Sequence, residues 1–150
     1  MEVLVVNIIK YPNNILRNKS VKIEKDDVDV IKTLKEMSEF IKDEKNNAAG
    51  LALPQVGINK RGFVMNHNSK QLIVINPVFL KKGPIYIPNF TESCLSIDNK
   101  EAFIKRHKSV MMKFLDINMK PQVITLKGFS AVVAQHEVDH LDGILFIDKI

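Results

Sequence analysis

Near the beginning of the chain, apolar residues recur at the spacing of an amphipathic helix. Polar and charged residues fill most of the other positions between residues 25 and 47, so we expect one face of this helix to pack on the core. Asp26 or Asp27 is the expected N-cap, and Asn46 with Asn47 is expected to end the helix. The apolar positions are Val30, Ile31, Leu34, Met37 and Ile41.

A second helical segment, from Phe129 to Leu141, is apolar on nearly every side. This pattern predicts a buried helix, which Gly143 closes. Its polar residues include His136, Glu137 and His140.

Short apolar and β-branched runs between the helices predict strands, whereas residues 48–62, "AAGLALPQVGINKRG", predict a tight loop. Residues 1–10 lack a basic leader and are interpreted as a strand rather than a signal peptide. Asn76 and Pro77 are expected to interrupt the strand before them. The other predicted strands are Val64–Met65, Gln71–Ile75, Pro84–Pro88, Ala102–Ile104, Val110–Leu115 and Gln122–Leu126.

These elements predict an α+β fold in a single domain over residues 1–150. Short, mainly antiparallel strands are expected to pack around the buried C-terminal helix, with the N-terminal amphipathic helix added to them. A composition of 45% hydrophobic and 26% charged residues is that of an ordinary soluble globular protein.

Charge and cysteine content narrow the partners and the compartment. The net charge of +5 comes from lysines spread along the chain, which does not indicate a specific DNA-binding face. No apolar run approaches the roughly 18 residues that a membrane span needs. Because Cys94 is the single cysteine, an internal disulfide is excluded and a reducing compartment is expected. The cytoplasm, or the stroma or matrix of an organelle, meets this condition.

The stretch "AVVAQHEVDHLDG" in the second helix carries the pattern H-E-x-x-H. Residues four apart lie on one helix face about 5.4 Å from each other, so His136 and His140 can bind one metal ion. Glu137 can then act as a general base, as in zinc hydrolases. Unpaired imidazoles and a carboxylate would be costly among apolar neighbours.

A catalytic metal site needs a third protein ligand. Phe146 stands where the longer H-E-x-x-H-x-x-G-x-x-H pattern requires histidine, and no glutamate follows Glu137, so the third ligand must lie upstream. Cys94 is favoured because a thiolate is a strong, soft ligand; the alternative is that it is a small core residue. The upstream candidates are His67, Glu92, Cys94 and His107.

Three motifs together resemble the signature motifs of peptide deformylases. They are "GLALPQVGI" at residues 50–58, "ESCLS" at residues 92–96 and "QHEVDHLDG" at residues 135–143. The resemblance implies a metal-dependent hydrolase that removes the formyl group from the N-terminal formylmethionine of nascent polypeptides and releases formate. It also implies one divalent metal ion, Fe(II) natively with zinc, nickel or cobalt as substitutes.

By matched position, the resemblance assigns Cys94, His136 and His140 as metal ligands and Glu137 as the acid and base. The side-chain amide of Gln55 and the backbone N–H of Leu95 are expected to stabilise the oxygen of the reacting carbonyl.

Other residues are expected to bind the substrate or to orient the ligands. Phe129, Val132 and Val133 precede His136 by one and two turns and form an apolar wall suited to methionine. The further expected substrate-binding residues are Ala49, Gly50 and Ser93. Glu92 and Asp139 are expected to orient the ligand imidazoles, with Arg106 as a counter-charge.

The sequence departs from the deformylase motifs at four positions: Ala48, Leu53, Ser93 and Glu101. Side chains at 48 and 93 replace glycines and are expected to narrow the substrate groove. Two alternatives therefore stay open: a non-catalytic deformylase-like protein that binds peptides or the ribosome, and an amidase for another N-acyl group. The expected partners are nascent formylmethionyl peptides and the ribosome surface near the exit tunnel.

Overall fold

Over residues 6–150, the part of the chain that this computed structural model describes, there are two α-helices and nine strands. The helices are α1, Val28–Lys42, and α2, Phe129–Leu141. The strands are β1 Gly50–Ala52, β2 Gly62–His67, β3 Lys70–Lys82, β4 Ile85–Tyr86, β5 Glu92–Cys94, β6 Ile97–Ala102, β7 Arg106–His107, β8 Ser109–Leu115 and β9 Pro121–Lys127. Short 3-10 turns occupy Asn14–Arg17, Glu44–Asn46, Leu53–Val56 and Phe146–Lys149.

The central layer is a five-stranded sheet in the order β1-β2-β3-β8-β9, in which all neighbours are antiparallel. The pairs β4–β7 and β5–β6 form two further antiparallel ladders. The predicted α+β class, with mainly antiparallel strands and a C-terminal helix, is thereby confirmed.

The two helices cover opposite faces of the central sheet. On β2, Phe63 and Met65 point to one face and join the cluster that includes Ala131 and Ala134 of α2. Val64 points to the other face and packs in the cluster of α1. This alternation follows from the two-residue period of a strand, and it fixes α2 firmly beneath the sheet.

The β2–β3 hairpin joins the predicted strands Val64–Met65 and Gln71–Ile75 through a two-residue turn. Asn68 and Ser69 both have positive φ, 50° and 64°, as a tight two-residue hairpin requires. The interruption predicted at Asn76 is a bulge rather than an end, because β3 continues to Lys82 after a register shift. Asn76 has φ 51° and hydrogen-bonds both the N–H and the carbonyl of Ile23.

Several predicted boundaries were wrong. The expected loop contains strand β1, and β5 and β6 form outside the predicted runs. The predicted strand Ala102–Ile104 has only Ala102 in β6, and Pro84–Pro88 shortens to β4. The polar, largely exposed β6 carries no apolar alternation that sequence patterns could detect. Half of the strand expected over residues 1–10 lies outside the described residues, and residues 6–10 form none.

Helix α1 ends at Lys42, four residues before Asn46, and a separate 3-10 turn follows. Asp27 occupies its N-cap position without a capping bond and instead accepts from the Glu24 N–H at 2.8 Å and from Lys60 at 3.1 Å. Helix α2 has the bounds that the sequence predicted. Among residues 6–150, no helix combines the length and apolar character that crossing a bilayer requires.

Candidate metal centre and active site

Helix α2 presents two imidazoles on one face. The rings of His136 and His140 lie 5.0 Å apart between centroids, as expected for residues one helical turn apart. His140 and Glu137 are buried, and His136 is partly buried. The apolar character of α2 therefore holds three ionisable side chains inside the protein.

Cys94, at the end of β5, completes the cluster. Its Sγ and the imidazole nitrogens of His136 and His140 all lie within 4.8 Å of one another, and Sγ is 3.4 Å from His140 Nε2. Of the other upstream candidates, His67 hydrogen-bonds Ser130 Oγ at 2.9 Å and His107 bonds the Gly83 carbonyl at 2.7 Å. Both histidines are thus engaged away from the cluster.

The electrostatics of the cluster suit a cation. Burial disfavours charge on His136, but hydrogen bonds with Cys94 and Glu92 and the nearby Glu137 outweigh it and raise its pKa to about 10. Burial and His136 lower the pKa of His140 well below its ordinary value, so His140 is neutral, the form that binds metals. The raised pKa of His136 shows that its surroundings favour one positive charge, which a divalent ion bound by the thiolate and neutral imidazoles would supply in place of the proton.

Glu92 fixes the orientation of His136. Its Oε1 accepts from His136 Nδ1 at 2.9 Å and from Arg106 at 2.8 Å, which leaves Nε2 of the ring for a ligand role. Burial opposes ionisation of Glu92, but the hydrogen bonds from Arg106 and His136 prevail and lower its pKa to about 2. Glu92 is therefore a carboxylate at neutral pH.

Arg106 connects two carboxylates behind the cluster. It donates two hydrogen bonds to Glu92, each at 2.8 Å, and one to Asp139 at 2.6 Å. Asp139 also pairs with Lys149 at 3.3 Å. Asp139 thus holds the arginine, and through it Glu92, rather than an imidazole directly.

Glu137 lies against the backbone of β1. Burial raises its pKa to about 7, although the charge of His136 opposes this. Its Oε1 has no hydrogen-bond partner in the described protein, so this oxygen can accept a proton from a bound molecule. A Cβ at Gly50 would lie 2.7 Å from Glu137 Oε2, so the position next to the carboxylate needs glycine.

Gln55 and Leu95 approach the cluster from two loops. The buried Gln55 accepts from the Ala52 N–H at 2.9 Å, which turns its Nε2 to Ser96 Oγ at 3.1 Å and Cys94 Sγ at 3.5 Å. Leu95 begins the two-residue turn between β5 and β6, where Cys94 pairs with Ile97. Gln55 Nε2 therefore offers a donor beside the thiol, and Leu95 follows the thiol residue directly in the chain.

A cavity of about 750 Å³ opens beside the cluster of Cys94, His136 and His140. Its apolar wall includes the predicted Phe129, Val132 and Val133, and Ala49, Gly50 and Ser93 line it as well. Sequence reasoning missed Phe90, whose ring stands 5.3 Å from that of Phe129 at 69°. Phe90 lies in a loop without periodicity, so no pattern marked it.

The comparisons with known proteins agree with this geometry. The family model of polypeptide deformylase matches residues 5–150. The chain is 39% identical to a peptide deformylase of Wigglesworthia glossinidia brevipalpis over 97% of this chain and 95% of that protein.

The chain belongs to the polypeptide deformylase family. It is therefore an enzyme of the deformylase class. The peptide deformylase structure from Thermotoga maritima aligns with a TM-score of 0.89 at 34% identity, covering 97% of both chains. A Met-Ala-Ser-bound class I type b peptide deformylase from Acinetobacter baumannii aligns with a TM-score of 0.87 at 27% identity, covering 100% of both chains.

Two of the four departures from the deformylase motifs lie at the cavity. Ala48 and Ser93 line it. Leu53 is fully buried and packs with the α1 side of the core, and Glu101 is exposed on β6. Any effect of the departures on substrate binding therefore has to come through Ala48 and Ser93.

Proposed function

We propose that this deformylase-family enzyme is a metal-dependent hydrolase that removes the formyl group from N-terminal formylmethionine and releases formate. The proposal rests on the cluster of Cys94, His136 and His140. Glu137 lies on helix α2 together with the two histidines. We further propose that residues 1–150 form one catalytic domain.

Cys94, His136 and His140 would hold the metal ion. A divalent ion with these ligands supplies Lewis-acid chemistry, because it acidifies a water molecule and polarises a carbonyl oxygen. We propose Fe(II) as the native metal, with zinc, nickel or cobalt as functional substitutes, since a Cys-His-His set accepts all of these.

Glu137 is proposed to move the proton. It takes a proton from the water whose oxygen attacks the formyl carbon, and it delivers this proton to the amine nitrogen as the C–N bond breaks. A peptide amine leaves readily only when protonated. The pKa of about 7 suits both directions of transfer, since an effective acid–base group has a pKa near the working pH.

Gln55 Nε2 and the Leu95 N–H are proposed to stabilise the formyl oxygen as it gains negative charge. Both donors are held before the substrate arrives: the Gln55 amide is fixed by the Ala52 N–H, and Leu95 sits in a two-residue turn. Donors placed in advance stabilise a transition state without a cost of reorganisation.

The apolar wall of the cavity is proposed to bind the methionine side chain. Phe90, Phe129, Val132 and Val133 offer the apolar and aromatic surface that a thioether favours. The Met-Ala-Ser ligand of the Acinetobacter baumannii relative is a peptide that begins with methionine, which supports this assignment. We propose that the substrates are nascent polypeptides, which the enzyme binds at the ribosome surface near the exit tunnel.

The decisive experiment compares two substrates on protein loaded anaerobically with Fe(II). We expect formate release from formyl-Met-Ala and no turnover of acetyl-Met-Ala. Equal turnover of both would favour an amidase of broader N-acyl range. Bound metal without formate release would favour a non-catalytic peptide- or ribosome-binding role.

A further inference from the structure

Three consecutive residues near the N-terminus, Ile9, Lys10 and Tyr11, lie along the two loops that carry Gln55 and Leu95. We call these three residues the strap. The Ile9 N–H donates to the Gln55 carbonyl at 2.7 Å. Lys10 Nζ donates to the Leu95 carbonyl at 2.7 Å, and the Tyr11 N–H donates to the Ser96 carbonyl at 2.8 Å.

The strap binds the main-chain carbonyls of Gln55, which reaches Cys94 Sγ through its side-chain amide, and of Leu95 and Ser96, which directly follow Cys94. On the inner side, Gln55 Nε2 bonds Ser96 Oγ at 3.1 Å. On the outer side, the strap bonds the carbonyls of Gln55, Leu95 and Ser96. The two loops are thus joined to each other directly and also through the strap, although they lie about 40 residues apart in the sequence.

Within the strap, Lys10 binds its loop carbonyl through its side chain, whereas Ile9 and Tyr11 bind theirs through backbone N–H groups. Its ammonium also contacts Asp98 Oδ1 at 2.8 Å. Lys10 therefore binds both the Leu95–Ser96 turn and strand β6, which follows the turn. The pair with Asp98 is exposed, and such pairs add little stability. A charged donor on the Leu95 carbonyl does, however, fix the direction of the Leu95–Ser96 peptide group, and Leu95 joins this group to the preceding peptide group, which carries the Leu95 N–H.

We propose that Lys10 is a positioning residue for the deformylation reaction. It holds the Leu95–Ser96 turn against the Gln55 loop, so that the Gln55 amide and the Leu95 N–H converge on one oxygen. The inference rests on the proposed function, which assigns that oxygen to the formyl group. Catalytic donors must be held within about 0.5 Å of the productive geometry, and Lys10 is the side chain that holds the Leu95 carbonyl of this turn.

The test compares Lys10→Met with Lys60→Met. Lys60 makes the same kinds of contact, to Asp27 at 3.1 Å and to the Lys22 carbonyl at 3.5 Å, but lies outside the site. Methionine keeps the unbranched stem of lysine in both variants. We expect Lys10→Met to lower kcat about tenfold, less than the loss of a donor itself. KM, metal content and Tm should match those of Lys60→Met.

A partial recovery of kcat in Lys10→Arg would support a positioning role, since arginine restores a charged donor. Equal kcat in Lys10→Met and Lys60→Met would overturn the inference. A fall in kcat accompanied by loss of metal or of Tm relative to Lys60→Met would overturn it too, because Lys10 would then be merely structural.

The strap can also be tested apart from the reaction. If the wild type releases no formate, the proposed function fails, and hydrogen exchange of the Leu95 amide still reports on the strap. Faster exchange in Lys10→Met than in Lys60→Met would support the positioning of Leu95 by Lys10. Equal exchange in the two variants would overturn it.

Discussion

Gly50 and Glu137 are packed so closely that a single added methyl group would meet the carboxylate, with Cβ 2.7 Å from Oε2. Gly50 belongs to β1 and Glu137 to α2, so a side chain at position 50 of the sheet would displace the Glu137 carboxylate of the helix.

We expect Gly50→Ala to lower kcat by displacing the Glu137 carboxylate. Glu137→Gln alone should lower kcat by about 10²- to 10⁴-fold, the usual contribution of an acid–base group, with metal content unchanged. The double variant should be no slower than Glu137→Gln, because both changes act on one group. Multiplied losses in the double variant would show that Gly50 acts on something other than Glu137.

Arg106→Met should weaken both the fold and the metal site. It leaves the buried Glu92 carboxylate without its cation, which costs about 3–5 kcal/mol of unfolding free energy. Since Glu92 orients His136, metal affinity should fall by about 10- to 100-fold. Denaturant unfolding and competition with a metal chelator measure the two effects.

Arg17→Met is the control for Arg106→Met. Arg17 pairs with Asp148 in a largely solvated position, where such a pair is worth at most about 1 kcal/mol. Similar losses of stability and of metal affinity in the two variants would contradict the role assigned to Arg106.

The pair of Arg17 and Asp148 should make a small, pH-dependent contribution to stability. The hydrogen bond from Arg17 lowers the pKa of Asp148, so folding favours its ionised form. This stabilisation is fully present above the ordinary carboxyl pKa of about 4 and is lost as the pH falls through the lowered value. Asp148→Asn should therefore be less stable than wild type at pH 6, and the difference should vanish in acid. A difference that grows below pH 4 would contradict this origin.

The sequence predicted the elements whose pattern is local and repeated. Helix α2 was predicted over its full extent because apolar residues recur at helical spacing from Phe129 to Leu141. Strand β1 was not predicted, because three residues are too few for alternation to appear and the two glycines and one proline in and after it indicate a loop. The tertiary sheet pairing with β2 makes it a strand.

The sequence pattern alone predicted only part of the candidate metal site. H-E-x-x-H places two imidazoles and an acid on one helix by spacing alone, whereas Cys94 lies 42 residues before His136 and could be favoured only by its chemistry and by the family resemblance. Phe90 and Lys10 were missed for the same reason. Lys10 bonds a carbonyl 85 residues away, and no local pattern records such a contact.

The most direct test of the proposed catalytic metal site measures bound metal and formate release in the same preparation, for the wild type and for Cys94→Ser. Wild-type protein stripped by a chelator and reloaded anaerobically with Fe(II) should bind one metal ion per chain and release formate from formyl-Met-Ala in proportion to the metal bound. Cys94→Ser should bind the metal weakly and lose formate release with it. Full metal occupancy and unchanged formate release in Cys94→Ser would contradict the assignment of Cys94, His136 and His140 as the catalytic metal site.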